Sequence, residues 1–265
     1  MNFDFQADAA AYWEARARRY ACKGDGLAAV CSYGMPAFYN RSIHLCQFLA
    51  LRPYLKMTRG RSVLDIGCGV GRWSICMAEQ GAKVTGSDLS PTMVKEANRK
   101  ARKAGVADRC KFQVTDIANL STGEKYDFII GVTVLQHILE DRRLESAVHN
   151  LRDHLGPAGR IILIEAAPTR LNARCDTPIF RARTEASYLK IFEACRLRTH
   201  CISGVDPTPL KPLLLPTFSK YPRFLALSAL AVATAIALPV DILFGRRWVR
   251  ASWHKLFVLG HEQEL

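Results

Sequence analysis

Three glycines and three carboxylates carry the most chemistry in this 265-residue sequence. The stretch Val63-Leu-Asp-Ile-Gly-Cys-Gly-Val-Gly-Arg-Trp-Ser74 runs an apolar strand into Gly67, Gly69 and Gly71, with Asp65 just ahead of them. Glycines in such a turn let the backbone bend sharply and approach a ligand closely, which suits a nucleotide. The spacing separates this turn from a dinucleotide fingerprint, which needs a small residue where this chain has Arg72 and calls for no acid inside the first strand. Asp88 stands 21 residues after Gly67, close to the offset of roughly 20 at which a carboxylate meets ribose hydroxyls, and is the expected ribose ligand. Asp116 is a third strand-end acid, and Cys68 sits where the loop would place it beside the ligand. His137 and Glu165, each close to the end of a later strand, are the side chains there that could take up a proton. No metal-ligand constellation is visible, and the nine cysteines show no Cys-x-x-Cys pair or Cys/His zinc spacing.

These groups need a sheet whose strand ends converge, and the chain alternates accordingly. Strands are predicted from Val63, over Val84 to Asp88, Lys111 to Asp116, Tyr126 to Val132 and Arg160 to Glu165. The fourth is continuously apolar, as a strand buried on both faces should be. The turn Gly156-Pro-Ala-Gly159 should introduce the fifth. Ser90-Pro91 supplies an N-cap and first-turn proline for a helix running to Ala104 and closed by Gly105. Acids at the carboxyl ends of several strands lie where an open α/β sheet binds ligands, so one shared site is expected.

Taken in order, these motifs resemble the class I S-adenosylmethionine (SAM) dependent methyltransferases, in their small-molecule branch that includes ubiquinone and menaquinone biosynthesis enzymes. The resemblance covers about residues 58 to 167. It rests on Asp65-Ile-Gly-Cys-Gly-Val-Gly71, Gly86-Ser-Asp-Leu-Ser90, Thr115-Asp-Ile117, Val134-Leu-Gln-His137 and Leu155-Gly-Pro-Ala-Gly159. It implies SAM as cofactor and a doubly wound, seven-stranded Rossmann-like sheet. Asp65, Gly67, Cys68, Gly69, Gly71, Asp88, Leu89, Asp116, Ile117, Val132 and Gln136 are then the expected cofactor residues, with Asp116 toward the adenine and Gln136 toward the methionine end. The last strand should run antiparallel beside strand five, so Arg196 to Ser203 reads as strand six and Trp253 to Leu259 as strand seven.

Composition bounds the rest. With 49% hydrophobic residues the chain can bury a full core, and Met1-Asn-Phe-Asp-Phe lacks the features of a secretion signal, so a reducing cytoplasmic setting is expected. The net charge of +13 admits nucleic acid as a partner, but no RNA-binding appendage is recognisable and strand four does not end in Asn/Asp-Pro-Pro-aromatic. Part of the charge, from Lys95 to Lys111, reads as a solvated helix face. Arg170, Arg174, Arg181 and Arg183 follow strand five, in a region that lines acceptor pockets in the family, and Arg181 and Arg183 are expected to hold an anionic acceptor group.

Four regions are expected: a helical lid over residues 1–57, the core over 58–204, an apolar helical insert over 205–250 and the final strand over 251–265. In the lid, Tyr12 and Trp13 should meet the acceptor, with Tyr20, Tyr33 or Tyr39 facing it; with His137 and Glu165 these tyrosines are the candidate general bases. The insert contains Phe224 to Val240, an uncharged run flanked by Lys220, Arg223, Arg246, Arg247 and Arg250. If strands six and seven share one sheet, a single membrane crossing between them is excluded. The insert then reads as a lid over an apolar acceptor, an oligomer interface packed through Ala226, Ala229, Ala233 and Ala237, or an anchor in the inner membrane surface that also uses Leu213 to Leu215. The expected reaction is in-line transfer of a methyl group to O, N or C of a small, lipophilic acceptor that can carry an anionic group. Two alternatives are kept: C-methylation or cyclisation of a prenyl diphosphate, and a SAM-binding, membrane-associated partner protein that does not methylate.

Overall fold

All seven expected strands, five read from alternation and two from the resemblance, are observed. A computed structural model describes residues 5–32, 35–171, 177–209 and 220–262. Its seven strands are β1 (Ser62–Ile66), β2 (Lys83–Asp88), β3 (Cys110–Val114), β4 (Tyr126–Val132), β5 (Leu155–Ala166), β6 (Leu197–Gly204) and β7 (His254–His261). They form one sheet in the order β3-β2-β1-β4-β5-β7-β6. β7 alone is antiparallel, inserted between β5 and β6.

Side chains on the central strands alternate between two cores because strand residues point to opposite faces in turn. Leu64, Ile66, Ile129, Ile161, Leu163, Phe257 and Leu259 enter one core. Val63, Phe128, Ile130, Ile162, Ile164, Leu256 and Val258 enter the other. Helices cover both faces, so β4 and β5 read as unbroken apolar runs. The first core is closed by α6 (Asp141–His154) and α7 (Glu185–Ala194), the second by α3 (Ala37–Met57) and α4 (Arg72–Glu79). The N-terminal region begins with α1 (Phe5–Tyr20) and α2 (Leu27–Val30). α5 (Pro91–Lys103) starts as expected, with the Ser90 hydroxyl accepting the Met93 N–H at 3.1 Å. Glu14 of α1 reaches this same N-terminus, accepting from the Ser90 and Thr92 hydroxyls at 2.6 Å each and from the Thr92 N–H at 3.1 Å.

Three local expectations are corrected. β3 ends at Val114, two residues before Asp116, because Asp116 turns to cap the short helical turn Ile117–Asn119 through the Ala118 N–H. The Gly156-Pro-Ala-Gly159 segment is absorbed into β5, whose pairing with β4 slips between Tyr126 and Phe128 to accommodate it. The apolar run becomes α8 (Arg223–Phe244), longer at both ends than predicted. α8 packs on α3. Ala226, Leu230, Ala233 and Ala237 are buried, but Ala229 is exposed, since the contact follows a slightly different helical stripe. Leu213 to Leu215 lie outside the described residues.

Candidate active site

β1 delivers the chain to the glycine loop, where Gly67 and Gly69 take left-handed φ of +58° and +53°. A Cβ on Gly67 would lie 2.6 Å from Val134 Cγ2, and one on Gly69 would run into Val30. Both are therefore close approaches of backbone to the walls of one cavity, which only glycine permits. Gly71 begins α4 and packs against α5 at Ala97 instead, away from that cavity. Asp88 grips the loop: one oxygen accepts the Gly69 N–H and the other the Ser90 N–H, both at 2.9 Å. Burial pushes its carboxyl above the usual range, and those N–H bonds pull it back. Asp65 lies behind the loop, where it accepts from the Ser74 hydroxyl at 2.5 Å; burial raises its carboxyl to about 7. Cys68 lines the cavity with its thiol held well above its ordinary value by burial and by Asp88, so it is protonated and unreactive.

The cavity has a volume of about 1560 Å³. Drug-sized ligands occupy pockets of roughly 300–1,000 Å³, so it is large enough for two molecules side by side. Gly67 to Gly69, Asp88, Leu89, Asp116, Ile117, Val132 and Gln136 line one end. Asp116 is bonded there to Arg143. Trp13 and Arg16 of α1 close over this end, with the Arg16 guanidinium 5.0 Å from the Trp13 ring centre and hydrogen-bonded to the Cys31 carbonyl at 2.7 Å.

Glu165 holds the segment after β4 and does not line the cavity. Its carboxylate accepts the N–H groups of Val134, Leu135 and Gln136 at 3.0, 2.9 and 3.1 Å, and burial raises its pKa to about 7. The Gln136 side chain accepts the Ala166 N–H at 2.9 Å. This grip keeps Thr133 at φ +57°, an unfavourable conformation for a β-branched residue, on the cavity wall. His137 follows, its Nδ1 2.5 Å from the Ile179 carbonyl, so Nδ1 carries the proton and Nε2 accepts. Burial lowers its pKa to about 4 and keeps it neutral. Its ring meets Trp13 edge-on, with centres 4.8 Å apart.

The other end of the cavity is lined by Tyr39, Thr169, Arg170, Asp206, Thr208, Arg250, Trp253 and His254. His254 donates its backbone N–H to one Asp206 oxygen at 2.8 Å, and its Nδ1 lies 2.7 Å from the other. That pair was missed in the sequence. The expected antiparallel pairing of β6 and β7 could have revealed it, because it brings the residues just past Gly204 beside those just before Lys255. Arg72, Arg143 and Arg250 were likewise not foreseen as cavity residues.

Several expected acceptor residues lie elsewhere. Arg181 and Arg183 are both bound to Asp141 and to the Leu139 carbonyl, and Arg183 also to that of Ile138, pinning the loop before α6 rather than facing the cavity. Tyr20, at the end of α1, packs toward Val70 and Met93, with Arg19 and Lys23 over its ring. Tyr12 stands edge-on to Trp13, off the cavity wall. Tyr33 and Arg174 lie outside the described residues.

A family profile described as a methyltransferase domain matches residues 63–159. Magnesium-protoporphyrin O-methyltransferase of Synechocystis is 46% identical over 79 residues, which are 29% of this chain and 34% of that protein. Ubiquinone biosynthesis O-methyltransferase of Coxiella burnetii is 28% identical over 130 residues, 48% of this chain and 53% of that one. The matched region thus spans between about a third and about half of these relatives' length. The crystal structure of the Synechocystis magnesium protoporphyrin IX methyltransferase with bound SAM superposes with a TM-score of 0.62 at 20% identity, covering 97% of each chain. An N-methyltransferase from Bradyrhizobium japonicum, in complex with S-adenosylhomocysteine (SAH), gives 0.58 at 15% identity, covering 95% of this chain and 99% of that one. Residues 63–159 therefore match a methyltransferase domain, and the chain has the seven-stranded Rossmann-like fold of these solved methyltransferases.

Proposed function

We propose that this protein transfers the methyl group of SAM to a small lipophilic acceptor. The observation that carries this reading is the single cavity with two unlike ends: glycine loop and strand-end acids at one, Tyr39, Arg170, Arg250 and the Asp206–His254 pair at the other. The glycine end fits the cofactor, since left-handed Gly67 and Gly69 hold the loop backbone against the cavity wall, where a Cβ would collide with Val134 and Val30, and half-buried Asp88 lines the cavity beside them. SAM supplies an electrophilic methyl on a positively charged sulfur.

The chain's own residues then bind, orient and dry the site. Asp88 would accept from ribose hydroxyls, Asp116 and Ile117 would border the adenine, and Leu89, Val132 and Gln136 would bound the remainder. Asp65 and Glu165 act at one remove, as positioning residues for the loop and for residues 134–136. Trp13 and His137 form a wall that excludes water, which favours a reaction that disperses charge. Alignment of acceptor and methyl supplies most of the acceleration. For a hydroxyl acceptor, the proton passes to His254, whose imidazole Asp206 holds, or to His137, whose neutral Nε2 is an acceptor. Arg170 and Arg250 take over the role expected of Arg181 and Arg183 for a carboxylate or phosphate on the acceptor. A cytoplasmic setting accompanies this reading, and the relatives, chiefly small-molecule O-methyltransferases, do not favour the prenyl diphosphate or non-methylating alternatives.

The test is to incubate the protein with methyl-labelled SAM and a panel of lipophilic phenols and carboxylic acids. Label extracted into organic solvent in a His254-dependent manner supports the reading. Tight SAH binding with no transfer to any class of acceptor would favour a SAM-binding protein that does not methylate.

A further inference from the structure

α8 presents an outer face that the fold leaves uncovered. Leu225, Val232, Ile236 and Leu243 fall at i, i+7, i+11 and i+18, a single stripe along the helix, and all are exposed, Val232 and Ile236 to 59% and 58%. Phe224 extends the apolar surface at one end, with Tyr221 and Trp248 exposed at opposite ends of the helix. Lys220, Arg223, Arg246 and Arg247 flank it, and Asp241 is the sole acid from residue 220 to residue 250. Asp241 is buried and occupied with the Thr208 N–H and hydroxyl at 3.0 and 2.8 Å, so no negative charge faces outward.

We propose that α8 is a docking surface for an anionic lipid bilayer, lying in the plane of the membrane with this stripe immersed. An interfacial helix sinks its apolar face roughly 5–10 Å into the headgroup boundary, where aromatic rings sit favourably and basic residues meet lipid phosphates. Two observations choose this occupant over the alternatives. β6 and β7 are neighbours in one sheet, so the insert leaves and returns on the same side, and its inner face is already packed on α3; the helix cannot cross. A second copy packed on the same stripe would bring the basic ends of two helices together in either orientation, whereas a bilayer with anionic headgroups neutralises both ends.

The contact leads to the cavity. Asp241 in the last turn of α8 ties down Thr208, and Arg250 lies just beyond the helix; both Thr208 and Arg250 line the acceptor end. A membrane-dissolved acceptor would enter there, a consequence that rests on the proposed methyl transfer, whereas the docking itself does not.

The test is co-sedimentation of the full chain with phosphatidylcholine vesicles carrying or lacking phosphatidylglycerol, alongside sedimentation velocity without lipid. Expected is binding to the anionic vesicles, lowered at least tenfold in the Val232→Glu/Ile236→Glu variant and several-fold by omitting phosphatidylglycerol. Melting temperature and SAH affinity should stay unchanged in that variant, which separates docking from folding and from the cofactor reading. Vesicle binding that the double variant leaves intact would overturn the proposal. So would absence of vesicle binding together with a dimer that the double variant dissolves, which would make α8 an interface between copies.

Discussion

The two ends of the cavity are built in different ways. The glycine end is assembled from short segments, each directly following a parallel strand: Gly67 to Gly69 after β1, Asp88 at the tip of β2, Asp116 after β3 and Gln136 after β4. The acceptor end is assembled from pieces far apart in the chain: Tyr39 in α3, Arg170 after β5, Asp206 after β6 and His254 opening β7. The first end has one set of local rules and a fixed spacing. The second depends on tertiary pairing between distant segments.

Variants can break this contrast at its joints. Glu165→Ala should have the largest effect, since it strands three N–H groups, two of them buried and each of those worth about 1–3 kcal/mol, and releases the wall shared by both ends. A loss of about 3 kcal/mol or more in denaturant unfolding is expected, and a loss below about 1 kcal/mol would remove Glu165 from this role. Asp206→Asn should act on the acceptor end alone. It should lower kcat by about a hundredfold or more while leaving SAH affinity unchanged, because general-base catalysis contributes typically 10²–10⁴-fold. Equal losses in SAH affinity and turnover would show that the two ends are not separable.

His137 borders both ends, and its pKa gives a test with a defined sign. The folded value of about 4 lies below the unfolded value of 6.5, so between these the unfolded chain binds the extra proton. Its contribution to stability is therefore present above about 6.5 and lost as pH falls toward 4. Asparagine can keep the donor to Ile179 without titrating. The stability difference between wild type and His137→Asn should grow as pH rises across that window, and a constant difference would contradict the burial of a neutral imidazole. Asp65 and Glu165, each raised to about 7, act in the opposite sense, losing stability as pH rises toward 7, so the comparison must be made variant against wild type. The smallest effect belongs to Tyr20→Phe, expected to change stability and turnover by no more than about 0.5 kcal/mol, since Tyr20 lies off the cavity. A tenfold loss of turnover would return it to the acceptor site.

The same contrast explains what was legible in the sequence. The sheet could be read because β4 and the later part of β5 are unbroken apolar runs and β1 and β2 end in glycine-loop or acidic turns, while β7 could be placed between β5 and β6 by resemblance. Asp88 could be read from its distance to Gly67. Arg181 and Arg183 could not be assigned correctly, because their partner Asp141 is 40 or more residues away in sequence and only the folded loop shows that it claims both. Glu165 reads in the sequence as a candidate general base at a strand end, whereas its three N–H donors, which make it a positioning residue off the cavity, depend on how β4 ends beside β5. The outer face of α8 was indistinguishable from its inner face, since both are apolar and only packing on α3 decides between them.

The central claim is that the glycine end holds SAM through Asp88, and calorimetric titration with SAH tests it most directly. The account predicts one-to-one binding in the micromolar range, weakened at least tenfold, or about 1.4 kcal/mol, by Asp88→Ala, with Asp206→Asn binding as wild type does. Absence of SAH binding by the wild-type protein, or an unchanged dissociation constant in Asp88→Ala, would contradict it.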